Sequence, residues 1–431
     1  MPRCTVLIPS ADRSCLLVVR DGERLALPTV TIESDWIAAE VGAIQAAVRD
    51  GLGVDAVVLR EIAGDVDDRA VELERISDAP MQSGAALVDV SALDELLLDA
   101  DARAIVQRWK AALPDAGAAP WMQRGWFAAA RAWIDARLAE RGAARVGPLR
   151  QIKGGWDESA VFAAATSAGD VYFKAASGPS IEPAVLAGLS GRRRGAPGIL
   201  AIEHANTWML MAAAGGQADA ARFPDALRQF AELQRAEAPH AAEWLATGAP
   251  DRRGAMMRAR LPRLLVDVPE QLHRGGLLSA AEATALRGAL PHVDALCEQL
   301  GACGIPDTLV HDDFQPGNVL GAGGELVFVD WSDVAVAHPF FSAHHFIATA
   351  AGSSPEALRE AYLEPWTGVV DAAAARAAFD MSAALAPVYR ALFNDRMADY
   401  EAWLATSPPP AQRAFARGVF TTILDALSVD R

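Results

Sequence analysis

The stretch Leu309-Val310-His311-Asp312-Asp313-Phe314-Gln315-Pro316-Gly317-Asn318-Val319-Leu320, followed by Leu326-Val327-Phe328-Val329-Asp330-Trp331, decides the interpretation of this chain. A carboxylate and a carboxamide lie five residues apart, and a second carboxylate follows twelve residues later, after an apolar run. The apolar runs predict strands, the Pro-Gly pair predicts a turn, and the Gly-rich segment 321–324 predicts a hairpin turn. We therefore expect a polar loop held between buried strands.

These residue types suit phosphoryl transfer. The migrating group carries charge on its equatorial oxygens through a loose transition state, so catalysis depends mainly on positioning and electrostatic neutralisation. We expect Asp313 to accept or orient the proton of an acceptor hydroxyl. Asn318 would supply a neutral oxygen and Asp330 an anionic oxygen to Mg²⁺, which prefers hard oxygen ligands. The alternative is that Asp313 and Asn318 are ordinary turn formers and that Asp330 is an acid at a strand end.

The segment resembles the His-x-Asp-x-x-x-x-Asn motif of the aminoglycoside phosphotransferase and choline kinase superfamily, with His311 in a supporting position. The resemblance covers roughly two-thirds of the chain, from about Gly147 to the C-terminus. It implies an α+β, two-lobed, protein-kinase-like fold with an antiparallel-sheet small lobe and a helical large lobe. The family often has Gly-Asp-Pro followed by an acid, whereas this chain has His338 before the proline and Ser342 near the later acid. The subfamily therefore stays open.

The phosphates of the donor nucleotide need a binding site of their own, and residues 151–162 contain a candidate. They predict a strand, a glycine turn and a returning strand. Such a turn can bring backbone N–H groups close to phosphates, so Lys153, Gly154, Gly155 and Ser159 are candidate nucleotide-binding residues. The alternative is an ordinary hairpin.

The resemblance implies a nucleotide-binding lysine on the third strand, at Lys174. The chain has only three lysines, Lys110, Lys153 and Lys174, among 39 basic residues. A compact ammonium binds phosphate as a point charge, unlike a planar guanidinium, although chance placement is the alternative. The family's helical glutamate corresponds to Glu182, but the following Pro183 favours an alternative in which Glu182 caps the helix.

Two strands, 199–202 and 206–211, are predicted after that helix. The resemblance implies that the next segment is a hinge whose backbone binds the adenine ring, with Met211 and Ala213 as candidates, while burial at a strand end is the alternative. From about Gln217, apolar residues at three- and four-residue spacing predict helices of the large lobe and acceptor pocket. His344 and His345 are either a structural pair or acceptor contacts, and Asp395, Arg396 and Trp403 are further pocket candidates.

Residues 1–111 predict strands at 5–8, 14–19 and 56–62 and helices at 36–52 and 101–111, a layout that resembles a small α/β Nudix domain. Where a Nudix helix carries glutamates for magnesium, residues 46–53 read Ala-Ala-Val-Arg-Asp-Gly-Leu-Gly, so hydrolase activity is not expected.

Two prolines and a glycine predict a linker at 112–120, and an amphipathic helix follows from Trp126. We expect the small lobe and hinge at 121–216, the large lobe at 217–431, and nucleotide binding by a fragment beginning near Trp121.

Composition narrows the class of protein. The chain has 431 residues, of which 52% are hydrophobic, and it contains no uncharged apolar run of the length a membrane helix needs. A net charge of −16 and a pI near 5.0 argue against nucleic acid as a partner. The N-terminus lacks a signal pattern and the four cysteines show neither disulfide nor metal spacing, so a reducing cytoplasm is expected. The N-terminal domain is a candidate surface for self-association.

The sequence thus predicts a small-molecule phosphotransferase. It would use ATP or GTP and Mg²⁺ to phosphorylate a hydroxyl of an aminoglycoside-like, sugar or amino-alcohol acceptor. One alternative is a nucleotide-binding regulatory pseudokinase, which the intact set of Lys174, Asp313, Asn318 and Asp330 disfavours. The other is a Nudix-type hydrolase with an accessory lobe, which the missing acids disfavour.

Overall fold

The computed structural model describes residues 3–21, 24–33, 37–63, 69–77, 80–93, 100–112, 118–156, 158–192, 195–321, 325–393, 400–408 and 410–428. The chain divides into two compact units. The first comprises Met1–Pro183 and Gly198–Ala213, and the second comprises Ala184–Pro197 and Ala214–Arg431. The first unit is built mainly on sheets and the second mainly on helices, so the predicted α+β class is confirmed.

The described residues of the N-terminal part of the first unit form two small sheets and two helices. A mixed sheet has the order β4-β1-β6-β5, with β1 parallel to β6, and an antiparallel sheet has the order β3-β2-β7. The predicted strands and helices are all present, each beginning and ending within two residues of its expected bounds, whereas β3, β4, β6 and β7 were not predicted. The elements are β1 (Arg3–Leu7), β2 (Cys15–Asp21), β3 (Arg24–Ala26), β4 (Thr29–Thr31), α1 (Ile37–Leu52), β5 (Ala56–Ala63), β6 (Arg69–Arg75), β7 (Ala85–Asp89) and α2 (Ala100–Ala111).

A five-stranded antiparallel sheet forms the rest of the first unit. After α3 (Trp126–Ala139), the strands are β8 (Arg150–Lys153), β9 (Ser159–Ala164), β10 (Val171–Ala176), β11 (Ile199–Glu203) and β12 (Trp208–Ala212). Their order is β11-β12-β10-β9-β8, so β8 is an edge strand. Lys174 lies on the central strand β10, opposite Val161 and Met209.

Strand β5 joins the two parts of the first unit, because successive side chains on a strand point to opposite faces. Val58 packs in a core with Val41 and Ile44 of α1. Val57 and Leu59 pack in a second core, which also contains Trp121, Phe127, Phe162 and Phe173. A fragment beginning near Trp121 would therefore lack part of its own core, and its binding of nucleotide stays a prediction.

The second unit is built on helices that carry apolar residues at helical spacing. Helix α9 begins with a capping box, in which the Ser279 side chain accepts from the Glu282 N–H and the Glu282 side chain accepts from the Ser279 N–H. Starting from Glu182 in the first unit, the helices are α4 (Glu182–Gly191), α5 (Phe223–Glu237), α6 (Ala241–Thr247), α7 (Gly254–Pro262), α8 (Val268–Arg274), α9 (Ala280–Gly301), α10 (Phe341–Thr349), α11 (Pro355–Leu363), α12 (Ala372–Phe393), α13 (Tyr400–Ala405) and α14 (Pro410–Ser428).

Two short antiparallel strand pairs hold the polar loops of the second unit. β13 (Thr308–His311) pairs with β16 (Val334–Ala337), and β14 (Val319–Leu320) pairs with β15 (Val327–Phe328). Every residue of β13 and β16 is buried. The predicted strand, loop and strand are confirmed, while residues 322–324 of the predicted hairpin turn lie outside the described residues. None of the helices in the described ranges is both long and apolar enough to cross a bilayer.

Candidate active site

The loop between β13 and β14 holds Asp313 by two amide donors. Gln315 Nε2 donates to Asp313 Oδ2 over 3.0 Å, and Asn318 Nδ2 donates to the same oxygen over 3.1 Å and to the Asp313 carbonyl over 2.8 Å. Phe314 is fully buried and stacks on Phe230 with ring centroids 3.9 Å apart, which anchors the loop in the core. The structure therefore brings Asp313 and Asn318 together. Since these bonds use the Asn318 amide nitrogen, its oxygen is the atom that can bind a cation.

The Asp313 carboxyl is held in its ionised form. Burial raises its pKa, but His345, Gln315 and Asn318 stabilise the charged form more strongly, and the pKa lies below its ordinary value. At neutral pH the group is a carboxylate that accepts hydrogen bonds. In a loose phosphoryl-transfer transition state, a carboxylate that orients the acceptor hydroxyl is more important than a strong base.

His345 faces the other oxygen of the Asp313 carboxylate. His345 Nε2 lies 3.6 Å from Asp313 Oδ1, and Arg390 Nη1 lies 3.2 Å from His345 Nδ1. A guanidinium can only donate, so Nδ1 is the acceptor and the proton of the neutral ring lies on Nε2, towards Asp313. Arg390 was missed from the sequence because it is 45 residues from His345 and belongs to no motif.

His311 ties the loop to the strand that precedes Asp330. Its ring is fully buried, and Nε2 donates to the Val329 carbonyl over 2.9 Å. Its backbone N–H donates to Ser342 Oγ over 3.0 Å. Burial lowers the pKa of the His311 imidazole, so the ring is neutral at pH 7. These contacts are those that a supporting residue would make.

Asp330 has an unusual backbone conformation. Its φ of 65° and ψ of 55° lie in the left-handed region, which few residues other than glycine adopt and which aspartate tolerates better than most. The next residue, Trp331, is fully buried and donates from Nε1 to the Phe328 carbonyl over 3.0 Å. Ser332 Oγ donates to Asp330 Oδ1 over 3.2 Å. Such strained backbone concentrates at functional sites, so this geometry supports a functional role for Asp330.

Asp312, beside the candidate catalytic residue, lies in a buried polar network. Tyr389 OH donates to both carboxyl oxygens over 2.9 and 3.0 Å, and Arg252 Nη1 lies 3.3 Å from Oδ2. The Asp312 side chain is 5% exposed. Burial raises the pKa of Asp312 to about 8, although Arg252 and Tyr389 oppose that rise. Sequence reasoning missed both partners, which are 60 and 77 residues away from Asp312 in the chain. The pair of consecutive acids in the motif, Asp312 and Asp313, was the signal that Asp312 also has a partner.

The two positions at which the sequence departs from the resembled motif, His338 and Ser342, are both buried. His338 is buried, its Nδ1 accepts from the Phe340 N–H over 3.4 Å, and its Nε2 lies 3.5 Å from Cys303 Sγ. Burial lowers the pKa of His338 to about 3. Ser342 accepts the His311 N–H described above. At these two positions a neutral imidazole and a hydroxyl form the hydrogen bonds.

A cavity of about 780 Å³ lies beside the catalytic loop. His344 and His345 both line it, and Ser382 fixes His344 by accepting from its Nε2 over 2.8 Å. Burial lowers the pKa of His344 to about 4. Asp395 and Arg396 lie outside the described residues, and Trp403 is not among the described lining residues. Polar and apolar side chains mix in the wall, which includes Asp312, Asp313, Asp333, Phe341, Tyr389, Arg390, Phe415 and Val419.

In the first unit, Lys174 forms an ion pair with Glu182. Lys174 Nζ lies 2.7 Å from Glu182 Oε2, and the two side chains are 9% and 3% exposed. Glu182 is the first residue of α4, where its N–H donates to Ser180 Oγ over 3.2 Å. Pro183 fits this first turn because its missing N–H has no partner there in any helix.

The candidate glycine turn follows β8. Gly155 has a φ of 75°, which favours glycine, and Lys153 Nζ lies 4.6 Å from the centroid of the Trp156 ring. Ser159 is buried at the start of β9, and its carbonyl accepts from Trp156 Nε1 over 2.9 Å. The structure thus places all four predicted residues of this segment on one turn and its flanking strands.

The predicted hinge residues lie at the end of β12. Met211 is buried and pairs with Tyr172 of β10, and the Ala213 N–H donates to the Asp170 carbonyl over 2.9 Å. The carbonyl of Ala213 is therefore its remaining backbone group for a ligand. The first unit ends at Ala213 and the second resumes at Ala214, so the predicted hinge coincides with a unit boundary.

The oxygen donors present suit magnesium. Asn318 offers an amide oxygen and Asp330 a carboxylate, both hard ligands. Within the described ranges, no group of three or more His, Cys, Asp or Glu side chains could hold a metal ion by itself. Magnesium in phosphotransferases is commonly bound through one or two protein ligands together with phosphate oxygens, and this residue set fits that mode.

Several solved structures are similar to this chain. A choline/ethanolamine kinase family protein from Mesorhizobium loti is 19% identical, with 69% of this chain and 98% of that chain covered at a TM-score of 0.39. A choline kinase from Streptococcus pneumoniae is 12% identical, with coverages of 69% and 98% and a TM-score of 0.44. An aminoglycoside phosphotransferase in a ternary complex with ADP and hygromycin B is 16% identical, with coverages of 68% and 98% and a TM-score of 0.40. No family model and no curated protein matches the chain.

Proposed function

We propose that this protein is a small-molecule phosphotransferase that moves the γ-phosphate of ATP or GTP to a hydroxyl group of a small acceptor. The observation that carries the proposal is the Asp313 carboxylate, held by Gln315 and Asn318 in the wall of a 780 Å³ cavity. A hydroxyl bound in that cavity can donate to Asp313 Oδ1, because the two amides occupy Oδ2. The aminoglycoside-like, sugar and amino-alcohol classes of acceptor all remain open.

Each unit contains residues with a proposed role toward the nucleotide or its metal ion. Lys174, kept in place by Glu182, would neutralise phosphate charge, and the turn at Lys153, Gly154 and Gly155 would offer backbone N–H groups. Mg²⁺ would bind through Asn318 and Asp330 and neutralise charge on the phosphates. Each of these residues then contributes positioning or charge, which is what phosphoryl transfer requires.

We further propose that residues 1–111 form a Nudix-like domain without hydrolase activity, followed by a linker at 112–120, a small lobe with its hinge at 121–216 and a large lobe at 217–431. The acids of α1 are Glu40 and Asp50, and Glu40 is buried and accepts from the Glu33 N–H. Such a helix supplies no cluster of metal-binding carboxylates. Mg²⁺-dependent cleavage of nucleoside diphosphate compounds by the full-length protein would contradict this assignment.

The test is Mg²⁺-dependent consumption of ATP and GTP across a library of hydroxylated metabolites and antibiotics. With the acceptor so found, Asp313→Ala should lower turnover by about 10²-fold or more and leave nucleotide affinity unchanged, since it removes only the group that orients the hydroxyl. Asp380→Ala, which removes an exposed acid of α12, is the matched control and should keep full activity. Near-full transfer by the Asp313 variant would exclude the assigned role, and nucleotide binding without any transfer would favour the regulatory pseudokinase.

A further inference from the structure

The outer edge of β8 is closed by the N-terminal region of the same unit. Gln151 Oε1 accepts from the Val58 N–H, and Gln151 Nε2 donates to the Val58 carbonyl, both over 2.9 Å. Gln45 Oε1 of α1 accepts from the Gln151 N–H over 3.0 Å. Both glutamine side chains are 2% exposed. Gln45 thus occupies a backbone N–H of the edge strand β8. The Gln151 side chain occupies both backbone groups of Val58 on β5, which is the last strand of its own sheet.

The same junction is sterically tight under the glycine turn. A Cβ on Gly42 of α1 would lie 2.7 Å from the Gln151 carbonyl oxygen, and a Cβ on Gly154 would lie 2.6 Å from Gln151 Nε2. A Cβ on Gly155 would lie 3.6 Å and 3.7 Å from side-chain carbons of Val58 and Val41. The turn therefore packs directly on Val58 of β5 and Val41 of α1, which lie 97 and 114 residues before Gly155 in the chain.

The far side of the turn is also fixed. Trp121 Nε1 donates to the Trp156 carbonyl over 2.8 Å, and Trp156 Nε1 donates to the Ser159 carbonyl over 2.9 Å. Held on both sides, the backbone from Lys153 to Trp156 has little freedom to change the direction of its N–H groups. Backbone groups bind a phosphate well only when their geometry is set beforehand.

We propose that Gly42, Gln45 and Val58 act through Gln151 as positioning residues for the phosphate-binding turn. The N-terminal region would then be a structural part of the nucleotide site and not an appended module. This inference rests on the proposed phosphotransferase function. A displacement of about 1 Å in a positioned group can cost about 10²-fold in rate, so a small shift of Gln151 is enough to be measured.

Two glycine-to-alanine changes in α1 of the full-length protein provide the test. Gly42→Ala pushes on the Gln151 backbone, whereas Gly51→Ala meets no atom within 4 Å, and both gain a similar helix propensity. Gly42→Ala should raise the KM and Kd for nucleotide by about 10-fold or more, with the acceptor KM and the kcat at saturating nucleotide little changed. Gly51→Ala should match the natural protein. Gln45→Met, which removes only the acceptor for the Gln151 N–H at similar volume, decides the question if Gly42→Ala does not fold.

The outcomes separate this inference from the proposed function. If the natural protein neither binds nucleotide nor transfers phosphate, the proposed function itself fails. If it does both and Asp313→Ala loses transfer, but folded Gly42→Ala and Gln45→Met bind nucleotide as Gly51→Ala does, the positioning role is overturned. Equal losses in kcat and in both KM values would also overturn it, since they would indicate general loosening of the fold.

Discussion

Replacing one or both members of the ion pair between Lys174 and Glu182 should distinguish the contribution of the pair to stability from the role of Lys174 in nucleotide binding. The charges lie 2.7 Å apart and are nearly excluded from water. Removing one partner of a buried pair leaves an uncompensated charge and typically costs about 3–5 kcal/mol, whereas replacing both by apolar residues is often close to neutral. Lys174→Met and Glu182→Leu should therefore each destabilise the protein by about 3–5 kcal/mol, and the double variant by much less than their sum.

The stability assay is urea unfolding followed by tryptophan fluorescence, with calorimetry to measure nucleotide affinity. Lys110→Met removes a half-buried lysine in the last turn of α2 and is the matched control, with an expected cost within about 1 kcal/mol. The double variant should recover stability but not nucleotide affinity, because the ammonium that meets the phosphates is gone. Single variants that lose less than about 1 kcal/mol would refute the buried-pair reasoning, and full nucleotide affinity in the double variant would refute the phosphate role of Lys174.

Two further predictions concern metal and pH. Asp330→Ala should weaken Mg²⁺-dependent nucleotide binding more than metal-free binding, because it removes an anionic ligand of the ion, and equal losses in calorimetry with and without Mg²⁺ would assign Asp330 a structural role. Asp312 has its pKa raised from 3.8 to about 8, so between those values the folded protein keeps a proton that the unfolded chain has lost, and stability falls as pH rises. Over that window the free energy of unfolding of the natural protein should fall relative to Asp312→Asn by up to about 1.4 kcal/mol per pH unit, and parallel urea midpoints at pH 5, 6, 7 and 8 would contradict this.

The catalytic loop was predictable because its information is local. Turn residues, two apolar strands and three polar side chains lie within one short segment, and the structure places Asp313 and Asn318 within hydrogen-bonding distance. The partners of Asp312 were not predictable, because Arg252 lies just before α7 and Tyr389 lies on α12, and neither segment carries a motif. Contacts between residues close in the chain could be predicted from the sequence, whereas contacts between residues far apart in the chain could not.

Local rules conflict in one helical region of the second unit. Pro262 and Pro269 argue against a continuous helix over residues 254–274. The structure resolves the conflict with a π-helical turn at Arg263–Asp267 between α7 and α8, which places Pro269 in the first turn of the second helix. In α1, the buried Gln45 lies beside the apolar positions Val41, Ile44 and Val48. A polar residue among buried apolar positions was a sign in the sequence that Gln45 binds a distant segment, which the structure shows to be β8.

The closed edge of β8 has a practical consequence for handling the protein. An exposed strand edge offers unpaired backbone groups to any other chain, and natural proteins protect such edges to avoid aggregation. A shortened protein that begins near Trp121 would lose Gln45, which accepts the Gln151 N–H of β8, and Val58, whose backbone binds the Gln151 side chain. It would also uncover the apolar surface against which Val57 and Leu59 pack. We therefore expect a protein shortened in this way to aggregate more readily than the full-length chain.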